Sequence, residues 1–162
     1  MGRNATTALE NVYFQCRKRA AKDDERLNSR EGAAELLNIS PSTLADYELG
    51  ITKQIPVENV MAMADLYKAP FLKTRFCSCE CPLGTACKVD LPTCQPSIQP
   101  VVLQIAAHIK PDAIRQVRDD LIFIASDGRV NEWERDRLAD IVSNLEIIAR
   151  GAVSLRLINA AV

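Results

Sequence analysis

Residues 29–50 read SREGAAELLNISPSTLADYELG, and their order of small, capping and apolar residues dictates two short helices. Ser29 supplies a side-chain oxygen for the unpaired amides of a first turn, and Glu31 places negative charge where the helix dipole favours it. The helix this starts is predicted to run through Leu37. Ser40 followed by Pro41 starts another, because Ser caps and Pro, lacking an amide hydrogen, is tolerated at the first helical position. That second helix is predicted to reach Leu49 and to stop at Gly50, the residue type that most easily turns a helix end left-handed. Ala33 and Ala34 are small enough for the two helices to approach closely. Ile39 in the turn, with Leu37 and Leu44, fills the corner between them.

Two helices joined at Asn38-Ile39 form a helix-turn-helix, and such a pair presents the start of its second helix outward, where it can enter a major groove. Ile39, Ser40, Thr43, Leu44, Tyr47, Glu48 and Gly50 resemble the Ile-Ser-x-x-Thr-Leu-x-x-Tyr-Glu-x-Gly core of the Xre/Cro phage-repressor type of regulator. The similarity extends from roughly Leu9 to Tyr67, the span of that family's five-helix domain, with the fifth helix poorly marked. Cys77, Cys81, Pro82, Leu83 and Gly84 further resemble a Cys-x-x-x-Cys-Pro-(Ile/Leu)-Gly segment of small Xre-type regulators of Gram-positive bacteria and their prophages, in which a helical tail closes the chain.

The resemblance implies an all-α, lambda-repressor-like domain in a sequence-specific transcriptional regulator of double-stranded DNA, with Ser40–Leu49 as recognition helix. Arg30 stands where the family's second helix meets phosphate or a base, and suits a phosphate anchor. Ser40 opens the reading helix, and the base-reading positions fall on Pro41, Ser42, Thr43 and Asp46. The hydroxyls of Ser42 and Thr43 can bond several base edges, while Pro41 offers only apolar contact. Asp46 departs from the neutral or basic residue usual in the family; it can accept from a cytosine amino group but is repelled by phosphate. Lys53 stands where the family's loop touches backbone. Arg17 and Lys18, with Arg19 and Lys22, form a basic patch on the first helix. A near-neutral domain with Asp46 on its reading face also suits a protein-interaction adaptor on the same fold.

Working outward, a first helix is predicted over about Ala8–Lys22, with Leu9, Val12, Tyr13, Cys16 and Ala20 on one face. Pro56 opens a fourth, with an apolar stripe of Val57, Val60, Met61, Ala64 and Leu66. The whole chain has 162 residues, 48% hydrophobic and 25% charged, which excludes general disorder. Its net charge of −1 carries no case for nucleic acid, so that case rests on the motif alone. The longest uncharged stretch, Leu91–Ile109, holds three prolines, so no membrane span is expected. The opening MGRNATTALE lacks the basic-then-apolar pattern of a leader, and the cytoplasm is the expected compartment. His108 is the only histidine and no Gly-rich phosphate loop exists, so neither an enzyme nor a small-molecule substrate is expected.

Five of the six cysteines, Cys77, Cys79, Cys81, Cys87 and Cys94, share a window with several prolines. They divide the chain into a helix-turn-helix domain (1–76), a Cys/Pro-rich linker (77–97) and a C-terminal helical hairpin (98–162). Cys77, Cys81, Cys87 and Cys94 are candidate ligands of a structural zinc, although the paired Cys-x-x-Cys knuckles of such sites are missing. A disulfide framework is disfavoured by an odd count of five and a cytoplasmic setting, and free thiols open to redox chemistry are the main alternative; zinc or redox chemistry would make the chain a metal- or redox-sensing regulator. In the last part, helices are predicted over Pro100–Ile109 and from Pro111, the latter carrying Ile114, Val117, Leu121 and Ile124. Asn131 and Glu134 form a capping box for a long final helix. In it Leu138, Ile141, Leu145, Ile148, Ala152 and Leu155 repeat as a heptad seam. The seam suits a homodimer interface, or an antiparallel hairpin with the Ile114–Ile124 helix.

Overall fold

Asn11 decides where the first helix starts. Its side chain accepts hydrogen bonds from the amides of Tyr13 (2.9 Å) and Phe14 (3.3 Å), so helix α1 spans Val12–Ala20, and Asn11 separates it from the helical residues Leu9 and Glu10 where one continuous helix was expected. Leu9 is thereby left exposed instead of joining the core, and Ala8 lies outside the residues, 9–160, that this computed structural model describes. Among the described residues the chain is all helix, turn and loop, with no strand. A 3-10 turn over Glu25–Asn28 leads into α2 (Arg30–Leu36), capped by Ser29, whose Oγ accepts from the Gly32 amide at 3.0 Å. Helix α3 (Pro41–Glu48) follows, capped by Ser40 through the Thr43 amide at 3.0 Å, with Pro41 in its first turn.

The end of α3 obeys its sequence signal. Gly50 takes φ +65°, and the Ile51 and Gly50 amides donate back to the Asp46 and Tyr47 carbonyls at 2.9 and 3.2 Å, closing a Schellman turn. Helix α4 (Val57–Leu66) buries Val60, Met63 and Ala64, with Tyr67 just beyond its end, while Val57 and Met61 are exposed. The stripe expected there was rotated: Met63, not Met61, continues the inner face. A further helix, α5 (Phe71–Arg75), lies beyond Tyr67, where the expected five-helix span ends, and buries Phe71 and Leu72. Leu27, Leu44, Val60, Met63 and Leu72 form the centre of the core, drawn from the 3-10 turn, α3, α4 and α5.

The stretch expected as a linker is itself folded. A π-helical turn over Phe76–Glu80 buries Phe76, and α6 (Pro82–Ala86) packs back on it. Gly84 makes that packing possible, because a Cβ there would overlap the carbonyl group of Cys77. Thr74 Oγ1 donates to the Pro92 carbonyl at 2.6 Å, and the Leu91 amide to Ser78 Oγ at 3.0 Å. The first compact unit consequently continues through Gln95, and the second starts at Pro96.

The second unit contains α7 (Ile98–His108), α8 (Pro111–Ala125) and α9 (Glu132–Ala160). Glu134 accepts from the Asn131 amide at 2.8 Å, the capping-box bond expected at the head of α9. Both shorter helices pack on α9. Arg137 pairs with Asp120 on α8; further along, Asn144 meets His108 at 2.7 Å and Gly151 faces the side chain of Ile105 on α7. The heptad seam is used within the chain, but only in part: Ile141 is buried and Leu145 is exposed.

Gly84→Ala should destabilise the first unit by about 2 kcal/mol through overpacking against the Cys77 backbone. A denaturant titration following the first unit's helix signal measures it; an unchanged midpoint would show that α6 is free to move away.

Candidate nucleic-acid interface

A single buried carboxylate organises the first four elements. Glu48 follows Leu44 by four residues and Ala45 by three, so it points inward with them from α3, and it is fully buried. Arg17 of α1, only 2% exposed, bonds it twice, Nε to Oε1 at 2.5 Å and Nη2 to Oε2 at 3.0 Å. The Nη1 of Arg17 donates to the carbonyls of Leu27 and Asn28 at 2.8 and 3.0 Å, and its guanidinium lies 5.3 Å from the Phe14 ring centroid. Arg30, at the first position of α2, adds its Nε to Oε2 of the same carboxylate at 2.7 Å. Arg17 is therefore no surface contact for DNA backbone. Its donors are spent inside the fold, which corrects the reading of it as part of a basic patch.

The remaining cations lie outside this knot. Lys18 is exposed, its Nζ 3.1 Å from Asn28 Oδ1. Lys18 and the one-third-exposed side chain of Arg30 line a cleft of about 320 Å³ with Phe14, Arg17, Asn28 and Glu31. Arg17, Arg30 and Lys18 stand here against Glu48 and Glu31, so this corner keeps one net positive charge. The structure thus brings Arg17, Lys18 and Arg30 together, one inside and two at the rim.

At the head of α3 the side chains of Ser40, Pro41 and Ser42 are exposed, and those of Thr43 and Asp46 are half-buried. Their hydroxyls are joined: Ser40 Oγ stands 2.9 Å from Ser42 Oγ and 2.7 Å from Thr43 Oγ1. The cap of the helix is therefore bonded to its outward hydroxyls. Lys53 is exposed in the loop after Gly50. On the opposite side of the helix Leu44, Ala45, Tyr47 and Glu48 are buried, so one eight-residue helix divides cleanly into an outer and an inner face.

The cysteines do not assemble as expected. Among the described residues no group of three or more His, Cys, Asp or Glu could hold a metal ion, so Cys77, Cys81, Cys87 and Cys94 are not gathered into a zinc site. All six are free thiols, with Cys77, Cys79, Cys87 and Cys94 exposed. The π-helical turn and α6 hold the backbone there by close packing of Gly84 on the Cys77 carbonyl and by the Leu91 amide on Ser78 Oγ. The same turn is tied to α1, where Tyr13 donates its hydroxyl to Glu80 at 2.9 Å. Burial, with the Glu80 carboxylate beside it, pushes the Tyr13 phenol far above its ordinary range. Cys16 sits in the core of α1 as expected, and burial pushes its thiol up to about 11.

Sequence reasoning missed the role of Glu48. It named the residue within the motif without asking what a carboxylate does at a core position. The spacing Leu44-Ala45-Glu48 was the available signal, because a charge on an inward stripe demands a partner.

The helix-turn-helix family model matches residues 19–72, which run from the last turn of α1 into α5. No curated protein and no solved structure matches the chain. The all-helical fold with a helix-turn-helix domain at its N-terminal side is therefore the architecture of the protein. No described helix is long and apolar enough to cross a membrane.

Two outcomes follow from the buried groups. Glu48→Ala should cost about 3–5 kcal/mol in a chemical denaturation, because it strands the guanidinium of Arg17 in the core. Native alkylation followed by mass mapping near pH 8 should modify Cys77, Cys79, Cys87 and Cys94 and spare Cys16, whose buried thiol keeps its proton up to about pH 11. Rapid labelling of Cys16 in folded protein would contradict its burial.

Proposed function

We propose that this chain is a DNA-binding transcriptional regulator that lays the head of α3 in the major groove of duplex DNA and acts as a homodimer. The observation that carries this reading is the division of α3: an inner face locked by Glu48, and an outer face of Pro41, Ser42, Thr43 and Asp46 flanked by the cationic rim of Lys18 and Arg30. Phosphate contacts from the rim fix register, and the hydroxyls of α3 touch base edges. Because those hydroxyls already bond one another, the protons they could donate to a base are partly committed, and discrimination per base pair is modest. Two copies then supply by avidity what one reading helix lacks, with half-sites about 34–36 Å apart. The likeness to small prophage regulators rests on the Cys77–Gly84 segment, where Gly84 has a demonstrable packing duty. A cytoplasmic setting fits a chain whose substrate is the genome.

The roles separate by substitution. Lys18→Ala and Arg30→Ala should each weaken binding to every duplex by about 1 kcal/mol, roughly fivefold, and shallow the salt dependence. Ser42→Ala and Thr43→Ala should instead alter which sequences emerge from a selection on random duplexes. Fluorescence anisotropy against random DNA at several salt concentrations measures the first pair. If the wild-type protein shows no salt-dependent binding, the groove-reading proposal fails, and the exposed face of α3 is a surface for protein.

A further inference from the structure

We infer that Cys77 and Cys81 form a redox-active dithiol, and that its closure to a disulfide releases the π-helical turn from α1. Neither DNA nor a second chain takes part. Cys77, Cys79, Cys87 and Cys94 are exposed and carry none of the core, so packing does not account for them. The turn itself selects the pair. Its closing bond runs from the Cys81 amide to the Phe76 carbonyl at 2.8 Å, so Cys77 opens the enclosed stretch and Cys81 ends it. Residues four apart on a helix are neighbours, at the Cα separation of about 4.4–6.8 Å that a disulfide requires. Cys79 stands two residues from each and faces neither. Cys87 is at the far end of α6 from Cys81, about 9 Å along the helix axis and out of its reach. Cys94 follows Pro92, whose carbonyl is bonded to Thr74, one turn before Cys77.

The two thiols differ in access as the two steps of closure need. Cys77 is exposed, whereas Cys81 is half-buried at the edge of a cleft of about 420 Å³ that it lines with Ile55, Val57 and Phe76. Hydrogen peroxide meets Cys77 first. The sulfur takes one oxygen as the O–O bond breaks, giving sulfenic acid and water. The Cys81 sulfur then attacks, the S–S bond forms, the S–O bond breaks, and a second water leaves with the thiol proton. Two electrons pass from the sulfurs to one peroxide, and a dithiol reductant reverses the change. Closure matters because Glu80 lies between the two cysteines. Tyr13 of α1 donates to Glu80 Oε2 at 2.9 Å, while Oε1 has Arg75 at 3.9 Å, whose buried Nε makes no hydrogen bond. A disulfide draws Cβ atoms that stood about 5–6 Å apart to about 3.5–4.5 Å. Glu80 is carried with them, and a hydrogen bond does not survive a shift of that size. One turn further along α1, Arg17 holds Glu48, so the helix released is the one that supports α3.

Full-length reduced protein treated with stoichiometric hydrogen peroxide tests this. Remaining thiols are alkylated with a light reagent, the product is reduced, and the thiols so released take a heavy one before tandem mass spectrometry. The heavy label should fall on Cys77 and Cys81, while Cys79, Cys87 and Cys94 keep the light one. Cys81→Ser should stop at a sulfenic acid on Cys77, trapped by dimedone, and Cys87→Ser should leave the pair able to close. Cys16, buried in α1 about one turn beyond Tyr13, reports the release. Its alkylation should run about fivefold faster in the oxidised protein, the factor that one lost hydrogen bond gives, and dithiothreitol should restore the slow rate. Tyr13→Phe, which removes the donor to Glu80, should speed Cys16 labelling to the same extent without any peroxide. Heavy label on another pair or on none, chains cross-linked to one another on a non-reducing gel, or a Cys16 rate that oxidation leaves unchanged overturns the inference.

Discussion

The first unit depends on a carboxylate without access to water. Glu48 is fully buried between two guanidiniums, and the cost of desolvating it is offset only because both of its oxygens are bonded and Arg17 spends its remaining donors on the carbonyls of Leu27 and Asn28. One side chain of α3 thereby fixes α1, the 3-10 turn and the first residue of α2. Apolar packing alone would let these short helices slide or rotate by part of a turn. The geometry of paired bonds does not, and that is why the head of α3 stands out at a defined angle.

Much of this was legible in the residues. Ser29, Ser40-Pro41 and Gly50 cap and stop α2 and α3 where they stand in the sequence, because capping is a local matter of one side chain and two or three amides. What failed was of another kind. Val57 and Met61 looked as apolar as Val60 and Met63, and only the packing of α4 against its neighbours decides which pair faces in. Arg17 looked like any residue of a basic run, yet its partner lies thirty-one positions away, at a distance where local pattern says nothing. Asn11 was read as an interior residue of a longer helix, although its type favours an end.

The cysteine stretch shows the same limit from the other side. Composition marked it as unable to form a long helix, and its longest helical pieces are indeed five residues. Composition did not reveal that Phe76 is buried, or that Tyr13 reaches across to Glu80 and ties the stretch to α1. Long-range hydrogen bonds and one glycine contact turn an expected tether into the closing edge of a folded unit. The second unit was legible as helices and turn, while the share of its seam used within the chain required coordinates.

The division of α3 has a consequence for how such a protein changes over time. Leu44, Ala45, Tyr47 and Glu48 carry the core, while Pro41 and Ser42, on the same helix, carry none of it. Exposed positions of that sort usually tolerate substitution within about 0.5 kcal/mol. Variation at the outer face is therefore nearly silent for folding, whereas variation at the inner face is purged whatever it does to recognition. Lineages that inherit this domain can replace the residues of that outer face in single steps without passing through an unfolded ancestor.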